Sequence, residues 1–149
     1  MSSLSVESKS SILTTAPPIP TIRVMVVDDD SDDILLIQEF IKEISPGSRV
    51  TCVESGELLI EMLDILVDTE LPSLFIFDYN LPDISGFELL RQFKKSSRYQ
   101  HIPIGIYTST LYPIHKQECM EAGACIYISK SNTVEGLRED IRQLLSYCL

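Results

Sequence analysis

From Ile22 onward, short unbroken apolar runs alternate with segments of helical periodicity, five of each. This alternation constrains the fold more than any other feature. The stretches TIRVMVVD, RVTCVES, LPSLFIFD, IPIGIYTS and CIYISK read as strands. Their apolar runs are nearly continuous, as burial on both faces requires. Between them lie helical patterns. The first, ILLIQEFIKEIS, carries Ile34, Ile37, Ile41 and Ile44 at helical spacing, and PGS (Pro46 to Ser48) ends it. Ser31 with Asp32 and Asp33 makes its start, since serine can cap free N–H groups and early acids suit the positive end of the helix dipole. GELLIEMLDILV follows, then SGFELLRQFKKS with Phe87, Leu90 and Phe93 on one face. YPIHKQECMEAGA is closed by Gly123, and TVEGLREDIRQLLSYC is the last helix. Strands alternating with helices imply parallel strands joined by helical crossovers, hence an α/β doubly wound sheet.

At 149 residues the chain has room for one domain with a sizeable core. A net charge of −10 argues against nucleic acid as a partner, and no basic cluster exceeds Lys94–Lys95. No apolar run reaches membrane-spanning length, and the N-terminus lacks the basic start and apolar segment of an export signal. Cys52, Cys119, Cys125 and Cys148 lack metal-ligand spacing and read as reduced thiols of a cytoplasmic protein. Residues 1–21 hold six serines in the first eleven positions and then APPIP, a composition that predicts a disordered tail.

The polar residues that punctuate the strands point to chemistry. In a sheet ordered 2-1-3-4-5, ligands sit beyond the carboxyl ends of the strands. Asp28, Asp29 and Asp30 follow the first strand, Asp78 ends the third, Thr108 and Ser109 end the fourth, and Lys130 ends the fifth. They fall on one edge. Three carboxylates that close must take up protons or find a cation. Oxygen ligands suit Mg²⁺. A carboxylate beside a hard metal, a lysine and a hydroxyl is equipped to accept a phosphoryl group, a transfer that needs positioning and charge neutralisation above all. Asp30, Asp32 and Asp33 read as charge and capping and not as ligands, Asp83 as a loop acid, and His101 and His115 as surface or loop residues.

In order, these motifs resemble a response-regulator receiver domain, the phospho-acceptor module of two-component signalling, across Ile22 to Leu145. VVDDD matches the acidic pair, DYNLPDISGFELL the acceptor stretch, YTS the switch hydroxyl, and EAGACIYISK the segment with a switch aromatic and a lysine. The resemblance implies a flavodoxin-like (βα)5 fold for residues 22–149, in sheet order 2-1-3-4-5 and without an output domain. It implies Asp78 as the phosphorylated residue. Mg²⁺ would be held by Asp29, Asp78 and the backbone carbonyl of Asn80, with Asp28 acting through water. Thr108, Ser109 and Lys130 would meet the phosphoryl group, and Tyr127 would turn inward behind Thr108. Asn80 and Thr110 mark positions that set phosphoryl lifetime in the family. Implied partners are a sensor histidine kinase or histidine phosphotransfer protein, docking on the first helix. A downstream partner or a second copy would use the face of the fourth helix, fifth strand and fifth helix, to which Leu111, Tyr112 and Ile114 are candidates. No catalysis is implied beyond the protein's own phosphorylation and dephosphorylation.

Two features depart from expectation. The family usually has Lys-Pro after the fifth strand, with the peptide bond in cis, whereas Ser131 follows Lys130 here. A cis bond before serine costs about 2.5–4 kcal/mol, against about 0.5–1 before proline, so the loop is expected to be either strained or trans and different in shape. Gly105, in the middle of the fourth strand, needs a close neighbour to justify it. Competing readings are a haloacid-dehalogenase-type enzyme, using Asp28 and Asp30 as its Asp-x-Asp, and an unphosphorylated pseudo-receiver. The first leaves Asp78 unexplained and offers only Glu139-Asp140 as its later acidic pair. A flavin site is the weakest reading, because an acidic first loop would repel phosphate.

Overall fold

The computed structural model describes residues 22–149; the expected tail, residues 1–21, lies outside them. Five strands and five α-helices alternate: β1 (Arg23–Val27), α1 (Ser31–Ile44), β2 (Arg49–Val53), α2 (Gly56–Ile65), β3 (Leu74–Phe77), α3 (Gly86–Lys95), β4 (Ile104–Thr108), α4 (Pro113–Glu121), β5 (Ile126–Ser129) and α5 (Val134–Leu145). The sheet is ordered β2-β1-β3-β4-β5 and is parallel throughout.

The period of two along each strand divides the core into two layers. Val24, Val26, Leu74, Ile76 and Tyr107 pack against Ile37, Phe40 and Ile41 of α1 and Ile141, Leu144 and Leu145 of α5. Met25, Val27, Phe75, Phe77, Ile104 and Ile106 pack against Leu59 and Leu63 of α2, Leu89, Leu90 and Phe93 of α3, and Cys119 of α4. The central strand β3 is buried at every position. Burying one such side chain contributes about 1.5–3 kcal/mol, so this strand is a firmly held support for whatever follows it. Gly105 finds its reason in α5. A Cβ there would lie 2.6 Å from Leu144 Cδ2, so only glycine lets the helix settle on β4.

At the start of α1 the reading of Asp30 as charge and capping holds, and that of Ser31 as the cap does not. Asp30, not Ser31, is the cap: its carboxylate accepts from the amides of Asp32 and Asp33, and Ser31 is already helical. Asp83 is more than a loop acid. Its two oxygens accept from the amides of Gly56 and Glu57 at 3.1 and 2.7 Å, capping α2 from a remote loop. Slight burial alone would raise its pKa, but these donors outweigh it and hold the carboxyl below its ordinary value. His115 is no free surface residue either. It lies in α4, stacked on Tyr79 at 4.0 Å between ring centroids. All four cysteines are free thiols, and among the described residues no helix is long and apolar enough to cross a membrane.

Candidate functional site

Asp28, Asp78 and Lys130 are each the first residue beyond a strand, and each is still held by the sheet. The Asp28 amide donates to the Val53 carbonyl at 3.0 Å, the Asp78 amide to that of Val27 at 2.9 Å, and the Lys130 amide to that of Thr108 at 2.7 Å. The parallel ladder thus runs one rung past its strands and fixes three functional backbones. Because Val27 pairs with Phe77, the acids that follow them emerge side by side. Gly86 completes the support. A Cβ at that position would lie 2.2 Å from the Asp78 carbonyl oxygen, so the first turn of α3 can rest directly on the acid's backbone only with glycine there.

Asp28 and Asp78 are nearly buried, at 1% and 7% exposure, whereas Asp29 is exposed. Among the described residues, these three form a group in which one carboxylate oxygen from each lies within 4.8 Å of the others. The Lys130 ammonium donates to Asp28 Oδ2 at 2.7 Å, to Asp33 Oδ2 at 2.7 Å and to Asp78 Oδ2 at 3.3 Å. Asp33 was read from sequence as helix-start charge; it is a ligand of the site lysine from 97 residues away.

Three carboxylates therefore surround one ammonium, and that of Asp29 lies beside two of them. Burial raises the Asp28 carboxyl from 3.8 to about 6, against the lowering effect of Lys130, and the charge of Asp78 adds to the rise. Burial would also strip the proton from Lys130, but its bonds to Asp28 and Asp33 prevail and hold its pKa above the ordinary lysine value. The charges themselves leave a surplus: the lysine carries one positive charge against the carboxyl groups of Asp28, Asp33 and Asp78. An all-oxygen donor set with surplus negative charge fits a hard divalent cation.

The remaining residues line the mouth. Thr108 is wholly buried, and its hydroxyl lies 3.4 Å from that of Thr110. The Asn80 amide nitrogen donates to the Thr110 hydroxyl at 3.1 Å, so the two positions marked for phosphoryl lifetime touch. The Asn80 backbone N–H donates to Asp78 Oδ1 at 3.0 Å. Ser109 is exposed at the rim. Tyr127 is already turned inward, 5% exposed, with its hydroxyl donating to the Thr110 carbonyl at 3.2 Å. That bond satisfies a buried phenol and supplies the reason for its inward position.

The Asp30 carboxylate is engaged in capping α1, which removes the second acid that the dehalogenase-type reading requires. The loop after Lys130 resolves the question raised by Ser131. No cis peptide bond occurs among the described residues, and the Ser131 amide donates to Asp140 Oδ2 at 2.9 Å, a bond proline could not make.

Comparisons with known proteins agree with this arrangement. Residues 24–142 match the family described as response regulator receiver domain. The chain is 36% identical over 115 residues to Two-component response regulator ORR11 of Oryza sativa subsp. indica, covering 77% of this chain and 72% of that one. Its fold matches the phosphorylated cyanobacterial phytochrome response regulator RcpA with a TM-score of 0.79 at 22% identity, over 87% of this chain and 94% of that one. It also matches the Mn²⁺-bound form of response regulator Rcp1 with a TM-score of 0.75 at 23% identity, over 85% and 93% of the two chains. The family match spans more than half of the sequence, and the acids and lysine that the motifs singled out meet at the strand ends where the ladder holds them; the chain belongs to the response-regulator receiver family of two-component signalling proteins.

Proposed function

We propose that Asp78 accepts the phosphoryl group. The observation that carries this reading is its placement: nearly buried at the end of a fully buried strand, beside Asp28 and Asp29, with Lys130 3.3 Å away. The donor is the phosphohistidine of a sensor histidine kinase or a histidine phosphotransfer protein. An Asp78 oxygen forms a bond to phosphorus as the P–N bond to the imidazole breaks, and the electron pair stays on the imidazole nitrogen. Lys130, oriented by Asp33, neutralises a phosphoryl oxygen. Thr108, whose hydroxyl among the described residues is held only by that of Thr110, turns to donate to another, with Ser109 beside it at the rim. Mg²⁺, bound by Asp29, Asp78 and the Asn80 carbonyl with Asp28 acting through water, would supply the positive charge that lets an anionic acceptor approach an anionic phosphoryl group. The manganese in Rcp1 supports this choice, because Mg²⁺ and Mn²⁺ favour the same oxygen ligands.

The output is carried by a two-state element that Asp78 phosphate biases. Thr108, Thr110 and Tyr127 connect Asp78 to the start of α4, where Leu111, Tyr112 and Ile114 are 60%, 56% and 57% exposed. This apolar surface belongs to the α4–β5–α5 face and suits a downstream protein or a second copy. Leu35 of α1, 62% exposed, suits the docking of the phosphodonor. The protein works in the cytoplasm.

Intact-mass measurement with a small phosphoryl donor and Mg²⁺ tests the reading. One phosphoryl group should be gained, blocked by EDTA and by Asp78→Asn. A gain that survives Asp78→Asn but vanishes in Asp28→Asn would overturn it.

A further inference from the structure

One buried acid takes no part in the site as described. Asp140 lies in the middle of α5, 8% exposed. Among the described residues it forms no ion pair with a cation. A buried carboxylate without a countercharge is costly unless strong donors hold it. Two donors do, and both act on the same oxygen. The Tyr107 hydroxyl donates to Asp140 Oδ2 at 2.9 Å, and so does the Ser131 amide at 2.9 Å.

Each donor leads to Lys130. Ser131 is its chain neighbour, so the bond pins the peptide that leaves the lysine. Tyr107 is its floor: the Lys130 ammonium stands 5.8 Å from the centroid of that ring. The ring is 1% exposed and lies, with Lys130, Asp33, Phe40, Leu137 and Ile141, around a small apolar cavity between α1 and α5. The backbone on one side of Lys130 is fixed by the Thr108 carbonyl at 2.7 Å, and on the other by Asp140. The loop beyond is otherwise open, with Asn132 and Thr133 exposed.

We infer that Asp140 is a positioning residue for Lys130, holding the lysine's backbone through the Ser131 amide and its ammonium's aromatic floor through the Tyr107 hydroxyl. It thereby ties α5 to the phosphoryl site. The inference rests on the proposed role of Lys130 but makes a separate claim about what aims it. A shift of about 1 Å in a charge-stabilising group is enough to cost roughly a hundredfold in rate, so a tether of this kind has a kinetic consequence beyond its contribution to folding.

The test uses the full chain with Asp140→Asn, which keeps the shape but weakens the acceptor, and Tyr107→Phe, which keeps the ring but removes one donor. Three quantities are measured: the NMR signal of the Lys130 ammonium without any donor, Mg²⁺ affinity by calorimetry, and the phosphorylation rate against concentration of a small phosphoryl donor. The Lys130 signal should shift in both variants. The maximal rate should fall about tenfold in Asp140→Asn, with Mg²⁺ affinity changed less than about twofold, because the effect is routed through the lysine. An unmoved Lys130 signal and wild-type maximal rate, with only a lower melting temperature, would overturn the inference and leave Asp140 as a core hydrogen-bond acceptor. If Asp140→Asn does not fold, Tyr107→Phe decides by the same criteria. Should the wild type take no phosphoryl group at all, the proposed function fails, and the Lys130 signal alone still settles whether Asp140 positions the lysine.

Discussion

The two halves of the site are held in different ways. Asp28, Asp78 and Lys130 hang from the sheet by ladder bonds of 2.7 to 3.0 Å, Asp78 at the end of a fully buried strand. Thr108, Thr110, Asn80 and Tyr127 meet through longer contacts between side chains and loop atoms, at 3.1 to 3.4 Å. The half assigned to chemistry is rigid; in the half assigned to response the backbones of Thr108 and Tyr127 stay in the sheet, and it is the side chains that are lightly fastened. That division suits a switch, since a transfer step rewards fixed geometry while a two-state element must move at small cost.

Substitutions should expose the contrast, and the largest effect belongs to the fixed half. Lys130→Met keeps the apolar stem but leaves Asp28, Asp33 and Asp78 crowded without their cation. Metal-free chemical unfolding should show a loss of about 4 kcal/mol, and phosphorylation should slow about a hundredfold. A stability loss under about 1 kcal/mol would mean that the fixed half is electrostatically soft.

Next comes acidity. Asp28 titrates near 6 when folded and near 3.8 otherwise. The folded state holds the proton more tightly, so this group stabilises the metal-free protein below about pH 4, and the contribution is lost as the pH rises through 6. The span is about 3 kcal/mol at most. The difference in stability between wild type and Asp28→Asn, followed across that range, should therefore slope; a flat difference would contradict the shift.

The responding half should react more weakly. Tyr127→Phe removes one hydroxyl bond to the Thr110 carbonyl and should cost about 1 kcal/mol, while freeing the ring to leave its pocket, visible as faster ring flipping by NMR. Thr110→Ala should change stability by less than about 0.5 kcal/mol yet alter the lifetime of the phosphorylated form. If it proved as destabilising as Lys130→Met, the two halves would not differ as argued.

The sequence shows the fold plainly because apolar runs of strand length, bounded by glycine, proline and serine, leave little choice of architecture. It shows Asp78 because an acid that ends a run as apolar as Leu74–Phe77 contradicts burial unless something needs it. It hides Asp33, whose place in the helix start resembles that of its neighbours, although only its side chain reaches Lys130. It hides the capping role of Asp83, which lies 27 residues from the amide it satisfies. Asp140 is the hardest to see. An acid among Arg138, Glu139 and Arg142 looks like solvent-facing helix, and only the packing of α5 on β4 turns it inward, where Gly105 makes room. Contacts between partners remote in sequence leave no local periodicity to find.

The ladder rungs beyond the strand ends have a consequence for how the protein fails. The amides of Asp28, Asp78 and Lys130 belong to the sheet's bonded network, so their exchange with solvent deuterium should be as slow as that of the core strands and require global opening. The backbone of the phosphorylation machinery cannot then fray while the rest of the molecule stays intact. Loss of these three backbone positions should therefore accompany opening of the sheet, whereas the aim of a side chain such as Lys130 can be lost in a copy that stays folded.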